Sequence, residues 1–220
     1  MKIIDLFLKK SGFFLFFPYI ENMAVLKIRT IPDPVLYKKS APVTEFDKKL
    51  RDLVRDLFDT MYAESGVGLA AVQVGILTAV IVIDLEKMGH QKGVFVNPEL
   101  VEASTEMVIQ EEGCLSVPGL SANLERPRRV KVRFQDVFGN EKFLEGENIM
   151  ARALVHEMDH LKGEVFIDKL TPEVRHTVEE DIERIKRGLT PRNSSEPEYR
   201  KKVRRRNPNP GRSTPQQVRP

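Results

Sequence analysis

Between Asp47 and Glu64 the apolar residues Leu50, Leu53, Val54, Leu57, Phe58, Met61 and Tyr62 recur at i, i+3, i+4 and i+7. That spacing predicts an amphipathic helix. Asp47 stands where an N-cap belongs, and Gly66-Val67-Gly68 ends the pattern and starts a loop. Four shorter stretches read as strands. Ala79 to Leu85 is a nearly continuous apolar run, as in a buried strand. Gly93 to Val96 is a strand closed by a turn at Asn97-Pro98, and Glu106 to Leu115 runs extended. Val130 to Phe134 alternates and is turned back by Gly139-Asn140 into Lys142-Phe143-Leu144, which predicts a hairpin. From Ile149 to Leu161 apolar residues fall on nearly every side of a helical projection, so this helix is expected inside the fold. Pro172 to Arg187 predicts a charged last helix, with Pro172 near its first turn and Gly188 just past its end.

Length and charge refine this picture at the two ends. The chain has 220 residues and a net charge of +3, enough for one domain with a sizeable core and a tail. From Pro191 to Pro220 nine Lys or Arg stand against two Asp or Glu, so the end is strongly basic and the rest mildly acidic. After Leu189 come six prolines and the run Arg200-Lys201-Lys202-Val203-Arg204-Arg205-Arg206, too poor in apolar residues to fold alone. Such an end is read either as a solvated tail or as a contact for nucleic-acid phosphates. Residues 1–22 hold two apolar clusters broken by Lys9-Lys10. Neither approaches the ~20 residues that span a bilayer, and no small-residue cleavage site follows. Translation is expected to begin at Met23, with a weak membrane-associating segment or an ordered extension as the alternatives. The organisation expected is therefore a non-native or flexible extension over 1–22, one folded domain over 23–189 and a disordered basic tail over 190–220. Cys114 is the one cysteine, which excludes an internal disulfide and points to a reducing compartment.

The buried helix carries the chemistry. His156-Glu157-Met158-Asp159-His160 has the H-E-x-x-H pattern. Side chains four apart share a helix face, so both imidazoles can close on one metal ion. Glu157 lies about 100° round the helix, poorly placed as a ligand but able to reach a water on the metal. Two nitrogens leave the metal open, and two residues compete as third ligand: Glu180, twenty residues past His160, and Cys114, within Glu112-Gly113-Cys114-Leu115-Ser116. A thiolate is a strong ligand for a divalent transition metal, whereas a single cysteine is ordinarily a small buried hydrophobe. A third stretch, Gly66-Val67-Gly68-Leu69-Ala70-Ala71-Val72-Gln73, reads by itself as a helix end followed by small-residue packing.

Taken in chain order the three stretches resemble the motifs G-x-G-L-A-A-x-Q, E-G-C-L-S and H-E-x-D-H of the peptide deformylases, without a mismatch. Leu161, Gly163 and the opening around Ile31-Pro32-Asp33 continue the likeness, which covers about Met23 to Leu170. The resemblance implies removal of the formyl group from the N-terminal formylmethionine of nascent polypeptides. It implies Cys114, His156 and His160 as metal ligands, Glu157 as proton carrier, and the side chain of Gln73 with the backbone N–H of Leu115 as oxyanion donors. Asp159 is expected to orient the helix or a ligand. Gly66, Val67, Gly68, Glu112, Gly113 and Ile149 are expected to meet the substrate, the two glycines by letting a peptide backbone come close. The peptide would add as a strand along Glu112 and Gly113. Its methionine pocket would be lined by Val67, Ile149 and the apolar flank of His156. Gln110 and Ser121 stand near positions where the family often shows other residues. The metal expected in the cell is Fe2+, with Zn2+, Ni2+ or Co2+ in purified samples because affinity alone favours them. The enzyme is expected to be a cytoplasmic monomer with no membrane partner, its basic tail a possible contact for the ribosome or rRNA. Elements and resemblance together give an α+β fold: antiparallel sheets packed around a central metal-binding helix, with a C-terminal helix.

Overall fold

The computed structural model describes residues 24–192. The first amphipathic stretch forms α1, Lys48–Ala63, and the Asp47 carboxylate accepts from the Leu50 N–H at 3.1 Å, satisfying a donor that the first turn leaves open. Leu50, Val54, Leu57, Phe58 and Met61 turn inward. They pack on one face of a five-stranded sheet through Leu69, Val80, Val82 and Val96. Tyr62 Oη ties the end of α1 to this sheet by donating to Asp84 Oδ2 at 2.5 Å.

The sheet consists of β1 (Gly68–Ala70), β2 (Val80–Asp84), β3 (Lys92–Ala103), β6 (Arg129–Gln135) and β7 (Glu141–Glu147), in that spatial order. All its pairs are antiparallel. A separate antiparallel pair is made by β4 (Met107–Cys114) and β5 (Val117–Pro127). Two of these strands differ from the sequence expectation. The turn expected at Asn97-Pro98 is an irregularity inside a longer strand: the β3–β6 register shifts between Val96 and Glu99, and Asn97 has φ +50°. Proline lacks the N–H a ladder needs, and a bulge lets the strand continue past it. The other, β5, has no clear apolar alternation, because its inward positions include Ala122 and Arg126 beside Leu120 and Leu124.

The buried helix is α2, Ile149–Lys162. Eleven of its 14 residues are buried, among them Arg152, His156, Glu157, Asp159 and His160. One flank packs on the five-stranded sheet through Met150, Ala151, Leu154 and Met158, against Ile81, Ile83, Val130 and Val132. The other faces the β4–β5 pair, as the ion pairs from Arg126 and Glu112 to α2 show. Gly163 ends α2 at φ +81°, and a Cβ there would lie 2.7 Å from the Tyr37 backbone, so glycine is required on both counts. The last helix, α3 (Pro172–Lys186), covers β5 with Ile182 and Ile185 and is capped by Thr171.

Two backbone ties hold the motif stretches at Gln73 and Ser116 to the segment before α1. The Arg29 N–H donates to the Gln73 carbonyl at 2.7 Å, and the Ile31 N–H to the Ser116 carbonyl at 3.0 Å. At the other end the chain remains attached past Leu189. The Arg192 N–H donates to Asp181 at 2.6 Å, and its guanidinium pairs with Glu180. The expectations for residues 1–22 and for the basic run from Arg200 to Arg206 lie outside the described residues. Among the described residues no helix is long and apolar enough to cross a membrane.

Candidate active site

The strand β4 ends at Cys114 and α2 crosses behind it, which brings together the side chains the motifs singled out. Cys114, His156 and His160 offer one ligand atom each within 4.8 Å of one another, all three buried. The thiol sulfur lies 3.2 Å from His160 Nε2. Glu180 is elsewhere, exposed on α3 and paired with Arg192, so the open choice of third ligand falls to the cysteine.

The imidazole of His156 is held from its far side. Its Nδ1 lies 2.7 Å from Glu112 Oε1. A carboxylate only accepts, so Nδ1 carries a proton, and Nε2 is the nitrogen turned to the cluster, where a metal would take its lone pair. Glu112 itself is fully engaged. Arg126 binds it bidentately, at 3.1 Å from Nε and 2.7 Å from Nη2, and Arg152 Nη1 donates at 2.8 Å. Arg126 also reaches Asp159 Oδ2 at 2.6 Å. Arg152 donates to the carbonyls of Leu124 and Val108 at 3.0 and 2.7 Å. Two buried arginines, two buried acids and a ligand histidine therefore form one satisfied network, the condition under which buried charge is tolerated. Asp159, expected to orient the helix or a ligand, pairs with Arg126 rather than with either imidazole. Glu112, expected on the substrate side, also turns its carboxylate to His156.

Burial alone would push the Cys114 thiol up, but the charge of the His160 imidazole and hydrogen bonds from both histidines pull it well below the usual range. Burial works against a charged His156, and the thiolate and Glu112 outweigh it and raise its proton affinity well above the usual range. The cluster thus favours a thiolate and, without an ion, a protonated imidazole, and a divalent cation would take the place of that proton. Glu157 is the counterpart. Its Oε2 is buried with no hydrogen-bond partner, and burial pushes its carboxyl up to about 7. An orphaned carboxylate oxygen beside a thiolate and two imidazoles fits a site that receives a metal ion and a water.

Gln73 completes the floor. Its Oε1 accepts from the Ala70 N–H at 2.8 Å, which fixes the amide so that Nε2 points at Cys114 Sγ (3.4 Å) and Ser116 Oγ (3.2 Å). The cleft over the cluster is walled by Val67, Gly68, Gly113, Leu115, Ile149 and Ala153. Gly66 lies behind this wall, its open side facing Leu115 Cδ1 and Met61. Of the two positions noted as unusual, Gln110 is exposed on β4, and Ser121 on β5 donates to Glu111 at 2.5 Å. Sequence reasoning missed Arg126, Arg152 and Ala153. A signal existed for Arg152 alone: it is the one Arg or Lys between Ile149 and Leu161, one turn before His156.

A buried helix bearing two imidazoles and an acid, faced by a thiolate on a strand end, defines an α+β metal-dependent hydrolase. The family model for polypeptide deformylase matches residues 25–176. The peptide deformylase of Caldanaerobacter subterraneus subsp. tengcongensis is 46% identical over 164 residues, covering 74% of this chain and 99% of that one. A crystal structure of a peptide deformylase from Legionella pneumophila superposes with TM-score 0.69 at 41% identity, over 74% of this chain and 96% of that one. The Plasmodium falciparum peptide deformylase gives 0.70 at 37% identity, over 74% and 96%. The chain belongs to the polypeptide deformylase family. It is a metal-dependent hydrolase that removes the formyl group from the N-terminal formylmethionine of newly made polypeptides, releasing formate.

Proposed function

We propose that Cys114, His156 and His160 hold a ferrous ion, that Glu157 is the proton carrier of deformylation, and that Gln73 and the Leu115 N–H receive the developing oxyanion. The observation that carries this reading is the convergence of three ligand atoms within 4.8 Å beside the unpartnered Oε2 of Glu157. When bound, an ion in such a site supplies Lewis acidity that makes hydroxide available near neutral pH. The chain's own residues do the rest. Glu157 accepts the proton that water gives up as oxygen attacks the formyl carbon. The carbonyl oxygen gains charge, and the Gln73 amide and Leu115 N–H donate to it from fixed positions. The C–N bond then breaks, Glu157 passes its proton to the leaving nitrogen, and formate and a free N-terminal amine result.

The substrate is held by the same walls. An extended peptide lies along Glu112-Gly113 of β4 and opposite Val67-Gly68, with main-chain hydrogen bonds supplying affinity regardless of sequence. The methionine side chain fits the apolar wall of Val67, Leu115, Ile149 and Ala153. The enzyme works as a cytoplasmic monomer, and its basic end contacts ribosomal RNA through phosphate neutralisation.

Formate release from formyl-Met-Ala peptides under anaerobic conditions tests these roles. Glu157→Ala should keep its metal and lose turnover, and survival of most of the rate would overturn the acid–base assignment. Cys114→Ser should release the metal. Iron-loaded protein should outpace zinc-loaded protein, and equal turnover would overturn the choice of iron.

A further inference from the structure

We infer that Gly68 is a positioning residue for Glu157, with its missing side chain reserved for that carboxyl group. A Cβ built on Gly68 would lie 3.0 Å from both Cγ and Cδ of Glu157 and closer still to Oε1. These three atoms are its nearest neighbours, so the space belongs to one side chain. The sequence alone suggests that both glycines make room for a peptide. At Gly66 the space faces Leu115 and Met61, and at Gly68 it faces the general base.

The contact matters because little else holds the carboxyl group. Glu157 is buried, and no protein group hydrogen-bonds its Oε2. Its position is therefore set by packing, and Gly68 is one wall. That wall is stiff. Gly68 pairs with Ile83 in the β1–β2 ladder, and the adjacent Val67 carbonyl accepts from the Asp84 N–H at 2.9 Å. When a methyl group is placed there, the end of a flexible side chain gives before a laddered backbone does. The carboxyl group moves while the fold and the three ligands stay. A displacement of about 1 Å from the reacting atoms costs on the order of 10²-fold in rate.

This inference rests on Glu157 acting as the proton carrier, and a double-mutant cycle separates the two. Gly68→Ala, Glu157→Asp and the double variant are compared by formate release, metal content and thermal unfolding. Aspartate is one methylene shorter and draws its carboxyl group back from the Gly68 wall. The expected result is that Gly68→Ala lowers kcat by about 10²-fold with KM and metal content little changed. In the Glu157→Asp background the same change should lower kcat by less than about threefold. An equal loss in both backgrounds would overturn the inference. So would an unchanged rate, or a raised KM with kcat intact, which would assign Gly68 to the peptide. Loss of folded protein in both backgrounds would mean that the β1 backbone yields first, and overturns it too. Recovery of folding by Glu157→Asp alone would support it. If instead Glu157→Ala is itself active, the acid–base reading fails, whatever the cycle shows.

Discussion

Glu157 and Glu112 meet opposed demands. In the proposed role of proton carrier Glu157 must be dry and unpaired, and burial raises its carboxyl to about 7. A raised carboxyl contributes its full share of stability below the ordinary value near 4.5 and loses it as pH climbs through about 7. In metal-stripped protein, stability should therefore fall between pH 5 and pH 8, by on the order of 2–3 kcal/mol. Glu157→Gln should flatten that decline, and denaturant unfolding at the two pH values measures it. Glu112 answers the opposite demand. The arginines and His156 saturate its oxygens, and these partners outweigh burial to hold it well below the usual carboxylate range. Glu112→Gln leaves Nδ1 of His156 less firmly held and two arginines short of a charge. Metal affinity should drop about 10–100-fold in competition with a chelator. The placement of His156 and His160 on one helix face, with Glu157 between them in sequence, is legible from H-E-x-x-H because i and i+4 spacing is local. The role of Glu112 toward His156 is not, since 44 residues separate them and only the fold closes the gap.

Among the elements, β5 and α2 carry the surprise. An inward arginine counts as polar in any periodicity, so Arg126 hides the strand that it serves. Once β5 lies beside β4, with Gln110 opposite Leu124 and Glu112 opposite Ala122, that arginine points at both Glu112 and Asp159. It joins the β4–β5 pair to α2 by charge, alongside Arg152 and His156, which reach Glu112 from the helix. Removing one member of a buried ion network strands the others, at a cost of about 3–5 kcal/mol. Arg126→Ala should lower the denaturant midpoint accordingly, while an exposed pair such as Lys131–Glu145 should contribute about 1 kcal/mol or less when broken. In α1 the periodicity and the Asp47 cap agree with the structure, and in α3 the Pro172 start and the Gly188 end do, because each is set within a few residues.

At the scale of the whole molecule, α2 is enclosed between the five-stranded sheet and the β4–β5 pair, so the site sits where two layers meet on a shared helix. The attachment of Arg192 to α3 moves the useful truncation point past Leu189. A protein ending after Arg192 should hydrolyse short formyl peptides at the full rate and lose salt-dependent binding to ribosomes. Retained ribosome binding would remove the tail from that role. The sequence by itself determined the amphipathic α1, the hairpin of β6 and β7, the all-round burial of α2 and three motifs that name a family, because each is written in neighbouring residues. The tertiary structure alone decided that β5 exists, that Arg126 and Arg152 secure Glu112 behind His156, and that the space over Gly68 belongs to Glu157. Those facts depend on which distant surfaces meet, and spacing along a chain does not encode distance across it.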